Sequence, residues 1–155
     1  MDDTTRWLDA DEQESWIQLA RLLVRLPAAL DSQLRRDAGL THFEYGVLAA
    51  LSEQDDRRLR MGTLASFADG SLSRLSQVVG RLEARGWVER CPDPADGRST
   101  IAHLTDAGWE KVVATAPSHV EEVRRLVLDP LTAAQVAQLN RICDRINRAI
   151  DPDSC

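Results

Sequence analysis

The stretch Leu64–Thr105, LASFADGSLSRLSQVVGRLEARGWVERCPDPADGRSTIAHLT, constrains the chain most, because a short helix, a tight turn, a longer helix and a hairpin must follow one another with almost no spacer. Within it Leu72, Leu75, Val79 and Leu82 recur at intervals of three, four and three residues, which predicts one buried stripe on a helix from Ser71 to Arg85. The opposite face carries Ser73, Arg74, Ser76, Gln77 and Arg81. Hydroxyls, an amide and guanidiniums are the groups that hydrogen-bond base edges and phosphates, and no carboxylate intervenes before Glu83. At the helix start, from Ser71, free backbone N–H groups and the positive end of the dipole also favour an anion. An ordinary solvated face would carry the same residue types, so the segment that follows decides between the two readings.

Gly86 reads as the helix C-cap, and Trp87, Val88 and Glu89 with Arg90 and Cys91 as a strand. PDPADGRST then reads as a turn region, with the Asp96-Gly97 pair as its turn signal, and Ile101, His103 and Thr105 alternate with Ala102 and Leu104 in a returning strand. Such a hairpin places Arg98 beside its tip, with Asp96 two residues earlier as the carboxylate that holds the guanidinium extended. An arginine on a protruding arm suits the narrow, electronegative minor groove. The alternative is a surface salt bridge worth less than about 1 kcal/mol. The order of elements is that of a winged helix-turn-helix.

RLEARGWVER followed by DPADGRSTIAHLTDAG resembles the MarR family of bacterial winged-helix regulators, and weaker similarity in helix placement extends over nearly the whole chain, including LRRDAGLTHFEYGVLAAL. The resemblance implies a homodimer, a recognition helix in the major groove and an Asp-x-Arg wing in the minor groove. Those roles fall on the helix from Ser71 to Arg85 and on Asp96 and Arg98. Many members of this family bind small aromatic or phenolic effectors between the dimer helices and the winged lobe. By position Trp16, His42, Phe43, Tyr45 and Trp109 would line that crevice, although each is also explained as core or as a helix staple.

Length and composition set the bounds. A chain of 155 residues suffices for one domain, and 43% hydrophobic with 28% charged residues is globular. The fold class expected is mainly α with a small β-hairpin. Residues 1–155 form a single MarR-like domain in this reading: 41–105 are the DNA-binding lobe, 1–39 and 106–150 the dimerisation helices, and 151–155 a frayed tail. No apolar run approaches the roughly 20 residues that span a bilayer, and Asp2 and Asp3 do not suit a signal peptide, so the expectation is a cytoplasmic protein without a membrane partner. The net charge of −6 counts against a nucleic-acid partner at first sight. Residues 57–98, however, hold eight arginines against five acids, a local +3 that leaves −9 for the rest, and local charge governs phosphate contact.

Elsewhere, Asp9 with Glu12 predicts the start of a first helix, and Trp16, Leu19, Leu23, Leu26 and Leu30 give it an apolar stripe too broad for one helix to bury alone. Pro27 should kink or break this helix, which stops at Gly39. Thr41 with Glu44 forms a capping box, and Leu40 with Tyr45 a staple, for a second helix to about Ser52. Leu59–Met61 is placed as a short third strand against the wing, Thr63–Ala68 as the first helix of the helix-turn-helix, with Leu64 and Phe67 inward, and Asp69-Gly70-Ser71 as its turn. Thr105 caps a long helix disturbed at Pro117 and ended by Pro130, and Thr132 with Gln135 opens a last helix striped by Leu139, Ile142, Ile146 and Ile150.

Nothing in the chain points to catalysis. His42, His103 and His119 lie on different elements, and Cys91, Cys143 and Cys155 have neither disulfide nor zinc spacing, so no metal or cofactor is expected. Cys143 falls on the last helix's apolar face and should be a buried thiol; Cys91 ends a strand beside the wing, where oxidation would disturb DNA contact. The reading is a homodimeric, sequence-specific regulator of transcription, a ligand-responsive repressor binding double-stranded DNA at a pseudo-palindromic operator. Arg74 and Gln77 read bases with help from Ser73 and Ser76, Arg81 meets phosphate, and Arg98 enters the minor groove. The alternative is a winged-helix protein-interaction module without DNA binding.

Overall fold

The computed structural model describes residues 5–67 and 71–151, without the side chain of residue 67. The predicted turn at Asp69-Gly70, the inward side chain of Phe67, the acidic N-terminus, Cys155 and the frayed tail beyond 151 therefore lie outside the described residues. The elements are α1 (Ala10–Ala38), α2 (His42–Ser52), β1 (Arg58–Arg60), α3 (Met61–Phe67), α4 (Leu72–Ala84), β2 (Val88–Asp93), β3 (Asp96–Leu104), α5 (Asp106–Val123), a π-helical turn (Arg124–Leu128) and α6 (Ala133–Ile150). The chain divides into two compact units, up to Pro117 and from Ser118, with the division inside α5.

Three capping boxes fix three helix starts. Asp9 with Glu12, Thr41 with Glu44 and Thr132 with Gln135 each exchange side-chain and backbone hydrogen bonds across the first turn of α1, α2 and α6. Each satisfies two donors that a bare helix end leaves orphaned. Neither internal proline ends its helix. Pro27 lies within a 29-residue α1 and Pro117 within α5, because one missing N–H in a long ladder is tolerated where good helix formers such as Ala28 and Ala29 or Ala114 and Ala116 surround it. The irregularity expected near Pro117 falls later, in the π-helical turn.

In the first unit α2, α4 and the sheet close one core. Leu40, Val47, Leu48, Leu51, Leu64, Leu75, Val79, Leu82, Val88 and Leu104 are all essentially inaccessible to solvent. Each such leucine or valine contributes about 1.5–3 kcal/mol by burial, enough to fix α2 and α4 against one another. The recognition stripe differs from expectation at one position. Val78 is buried and Leu72 is 56% exposed, because Leu72 is the first residue of α4 and overhangs the groove in front of the wing.

The sheet has the order β1-β3-β2, antiparallel throughout, with Arg58 opposite His103 and Val88 opposite Leu104. The hairpin turn is Pro94-Ala95, not Asp96-Gly97. Asp93 precedes the turn, and its carboxylate accepts the Ala95 N–H at 2.8 Å, so Asp-Pro at the first two turn positions outcompetes the Asp-Gly pair, which joins β3. The register then jumps from Asp93–Asp96 to Pro92–Thr100, leaving Gly97, Arg98 and Ser99 as a bulge on β3.

Two junctions hold the lobe together. At the end of α4, Arg85 is the cap and Gly86 the next residue, at φ 73°; the Gly86 N–H bonds Glu83 O and the Trp87 N–H bonds Leu82 O, a Schellman closure that needs the left-handed glycine one place beyond the expected cap. At the start of α5, the Thr105 hydroxyl accepts the Gly108 N–H at 3.0 Å and donates to Gly86 O at 2.7 Å.

In the second unit, α6 buries none of its residues, and Ile142, Ile146 and Ile150 stand exposed, Ile150 at 76%. Cys143, expected to be buried, is exposed with them, because α6 packs none of its apolar stripe against a core within the described residues of this chain. In the first unit, the N-terminal half of α1 likewise leaves Trp16 (57%), Leu23 and Val24 exposed.

Candidate nucleic-acid interface

The predicted reading face of α4 is only partly free. Ser71 is the N-cap, its Oγ accepting the Arg74 N–H at 3.2 Å, so its hydroxyl serves the helix. Ser73, Arg74 and Gln77 are exposed, and among the described residues the Arg74 guanidinium makes no hydrogen bond or ion pair; it lies 4.5 Å above the Phe43 ring. Ser76 is half-buried and its hydroxyl accepts from Arg90 Nη1 at 3.4 Å, which turns it toward the wing. Arg81, placed by sequence on phosphate, donates from Nε to Glu44 Oε1 at 3.2 Å and ties α4 to α2. Glu44 itself is buried. Burial pushes its carboxyl up, but the Thr41 amide, the Arg81 guanidinium and the Thr41 hydroxyl outweigh that and hold it below the usual carboxylate range.

The wing is braced at its turn and open at the bulge that follows it. Asp93 accepts from Arg60 Nε at 2.7 Å, a bond from β1 to the turn of the hairpin. The Ala95 amide is the main cause, and the Arg60 guanidinium a further one, holding the Asp93 carboxyl below its ordinary range. Asp96 does not hold the Arg98 guanidinium as expected. Its two oxygens take the Arg98 backbone N–H at 3.1 Å and the Ser99 hydroxyl at 2.9 Å, so it shapes the bulge and leaves the Arg98 side chain exposed. An open groove of about 450 Å³ separates α4 from the wing, lined by Arg60, Leu72, Ser76, Arg90, Arg98 and Ser99 among others. Arg60 and Arg90 are absent from the sequence-derived set. Their signal was the arginine on either side of Leu59 in β1 and the arginine that follows Glu89 in β2.

The five side chains expected to line an effector crevice do not converge. His42 and Phe43 share a cavity of about 590 Å³ with Asp31, Arg35, Arg74 and Gln77. Trp16 stands on the exposed face of α1, Tyr45 packs against the core, where burial pushes its phenol up, and Trp109 lies 4.4 Å beneath the Arg57 guanidinium. Position alone did not separate the two roles, because capping and packing use aromatic residues as freely as a ligand does. Among the described residues no group of histidine, cysteine and carboxylate side chains is arranged to hold a metal, and no helix is long and apolar enough to cross a membrane.

A three-stranded wing flanking an amphipathic helix, with free arginines on both, defines a winged helix-turn-helix protein of the kind that meets a polyanion. The model of the MarR family matches residues 38–99. The chain is similar to Sco3205 of Streptomyces coelicolor, a MarR family transcriptional regulator solved in complex with DNA, at 44% identity and TM-score 0.93 over 99% of this chain and 96% of that one. It is also similar to AbsC of the same organism, at 34% identity and TM-score 0.90 over 96% and 100%. The regulator YdcH of Bacillus subtilis is 34% identical over 80 residues, a match that spans 50% of this chain and 54% of that relative. The chain belongs to the MarR family of winged-helix transcriptional regulators.

Proposed function

We propose that this chain is a sequence-specific DNA-binding repressor that acts as a homodimer on a pseudo-palindromic operator. The observation that carries the reading is that, among the described residues, Arg74 on α4 and Arg98 on the wing both keep their guanidinium N–H donors without a hydrogen-bonding partner while most arginines around them are tied down. Residues 41–105 are the DNA-binding lobe, with 1–39 and 106–150 the dimerisation helices of one MarR-like domain. Ser73, Arg74 and Gln77 face base edges, Ser71 and Ser76 shape the helix start and its wing side, and Arg98, positioned by Asp96, enters the minor groove. Arg81 acts by fixing α4 on α2. The solved complex of Sco3205 with DNA supports the duplex as partner.

Two-fold symmetry would set half-sites about one helical turn apart, and two lobes over such a site exclude other proteins from it, which favours repression. The exposed isoleucines of α6 and the exposed Trp16 face of α1 support a second copy as their cover. A small aromatic or phenolic effector acts by favouring a lobe spacing that no longer fits the duplex.

The test is a salt titration by fluorescence anisotropy on a selected operator and a scrambled duplex. Arg98→Ala should weaken both and flatten the salt dependence, whereas Arg74→Ala should also relax sequence preference. Wild-type affinities for both variants would reject the assignment.

A further inference from the structure

We propose that Phe43, on α2 and outside the helix-turn-helix, is a positioning residue that presents Arg74 to the base it reads. The inference rests on the base-reading role given to Arg74 above. An arginine side chain has several free torsions and loses rotamer entropy when it is held in one pose. A reader that is already held before DNA arrives avoids most of that loss. The Phe43 ring lies 4.5 Å from the Arg74 guanidinium carbon, within the range of a cation–π contact. Stacking uses the face of the guanidinium and leaves its in-plane N–H donors free, and those donors make the bidentate contact to a guanine edge.

The platform is itself fixed. Phe43 occupies the first turn of α2, between Thr41 and Glu44 of the capping box, and packs against the core. Glu44, the next residue, bonds Arg81 two turns further along α4. Two consecutive residues of α2 therefore hold two arginines of α4 in different ways: Glu44 takes the hydrogen-bond donors of its partner, and Phe43 leaves them open. Gln77 lines the same cavity as this pair, so the neighbouring reader faces the same platform.

The experiment measures the ratio of operator to scrambled-duplex affinity for Phe43→Leu, Phe43→Tyr, Arg74→Ala and the double variant Phe43→Leu/Arg74→Ala, each with a thermal melt. Phe43→Leu should lower the ratio roughly fivefold, equivalent to about 1 kcal/mol, with scrambled-duplex affinity unchanged. Phe43→Tyr, which keeps the ring face, should stay within twofold of wild type, and Phe43→Leu should have no further effect in the Arg74→Ala background. The proposal is overturned if Phe43→Leu keeps the wild-type ratio, if both ring variants lose it equally, or if Phe43→Leu is unfolded at the assay temperature, since the ring is then structural. If Arg74→Ala leaves the ratio intact, the base-reading assignment fails; if Arg74→Ala lowers it and Phe43→Leu does not, only the role of Phe43 fails.

Discussion

Replacing Gly108 by alanine tests how the wing is joined to α5. A Cβ built at Gly108 would lie 2.1 Å from the Trp87 carbonyl oxygen and 2.6 Å from Leu104 Cδ1, and the obstacle at Trp87 is backbone, which cannot swing aside. The same oxygen accepts the Thr105 N–H at 3.1 Å, and Gly108 donates to the Thr105 hydroxyl. Opening the junction by about 1 Å should cost about 3 kcal/mol as overpacking, with roughly 1 kcal/mol more for a weakened hydrogen bond. Against this stands a helix-propensity gain of about 1 kcal/mol for Gly→Ala. The net loss is about 3 kcal/mol, which for a chain of this length lowers Tm by roughly 6–12 °C. Gly46→Ala in α2 is the control, because nothing lies within 4 Å of its added Cβ, and it should be stabilising by up to about 1 kcal/mol. Melts at equal protein concentration decide the matter. If Gly108→Ala melts at or above wild type, the close approach is not a feature of the folded protein.

Glu44→Gln should destabilise the fold by about 1–2 kcal/mol through the lost charge on the Arg81 bond, measured by urea unfolding. Because Glu44 and Asp93 both have lowered folded-state pKa values, their stabilisation is complete above the ordinary carboxylate pKa and is lost as pH falls through the folded-state value. Stability should therefore decline below about pH 4.5, and Glu44→Gln should flatten that decline; an unchanged acid limb would refute the pairing. Asp93→Ala should lower operator affinity more than Asp93→Asn, since an amide oxygen can still accept the Ala95 N–H; equal losses would show that the Arg60 pair alone braces the wing. Ile146→Glu on α6 should convert the protein to a monomer in light scattering and abolish operator binding, whereas a dimer of unchanged mass would place the interface elsewhere.

The helix boundaries were legible because capping is local. Asp9, Thr41 and Thr132 each carry their partner three residues on, and the structure starts helices at Ala10, His42 and Ala133. The short third strand was legible too, from its place between a charged loop and the next helix, but it runs over Arg58–Arg60, because Met61 already opens α3. What failed were choices between competing local signals. Asp93-Pro94 and Asp96-Gly97 both announce a turn, and the Asp93 bond to the Ala95 amide, reinforced by the Arg60 bond to Asp93 made across 33 residues, favours the first. Leu72 obeyed the apolar spacing yet sits outside the core, since periodicity does not reveal which end of a helix overhangs. The Arg81 bond to Glu44 was hidden because Glu44 lies on another helix. The role of Gly108 was hidden for the same reason: the carbonyl it must clear belongs to Trp87.

The tally of charge over residues 57–98 gave a surplus of three, but the pairing does not follow that segment. Arg57 bonds Asp106 and Arg81 bonds Glu44, both acids outside it, while Arg60 bonds Asp93, Arg90 bonds Glu83 and Arg85 donates to Gly39 O. Arg58, Arg74 and Arg98 remain as the arginines of the segment whose guanidiniums have no hydrogen-bonding partner among the described residues. On the proposed reading, an acidic protein would meet DNA through a few cations whose donors are free, rather than through a basic surface. If each of these three meets the duplex in both subunits, about six counterion-releasing contacts form, and log K should fall against log salt with a slope of about −5. Release of all eight arginines of the segment would instead approach roughly −14. A measured slope steeper than about −9 would mean that the internal ion pairs open on binding, and the bracing assigned to Arg60 and Arg81 would not survive in the complex.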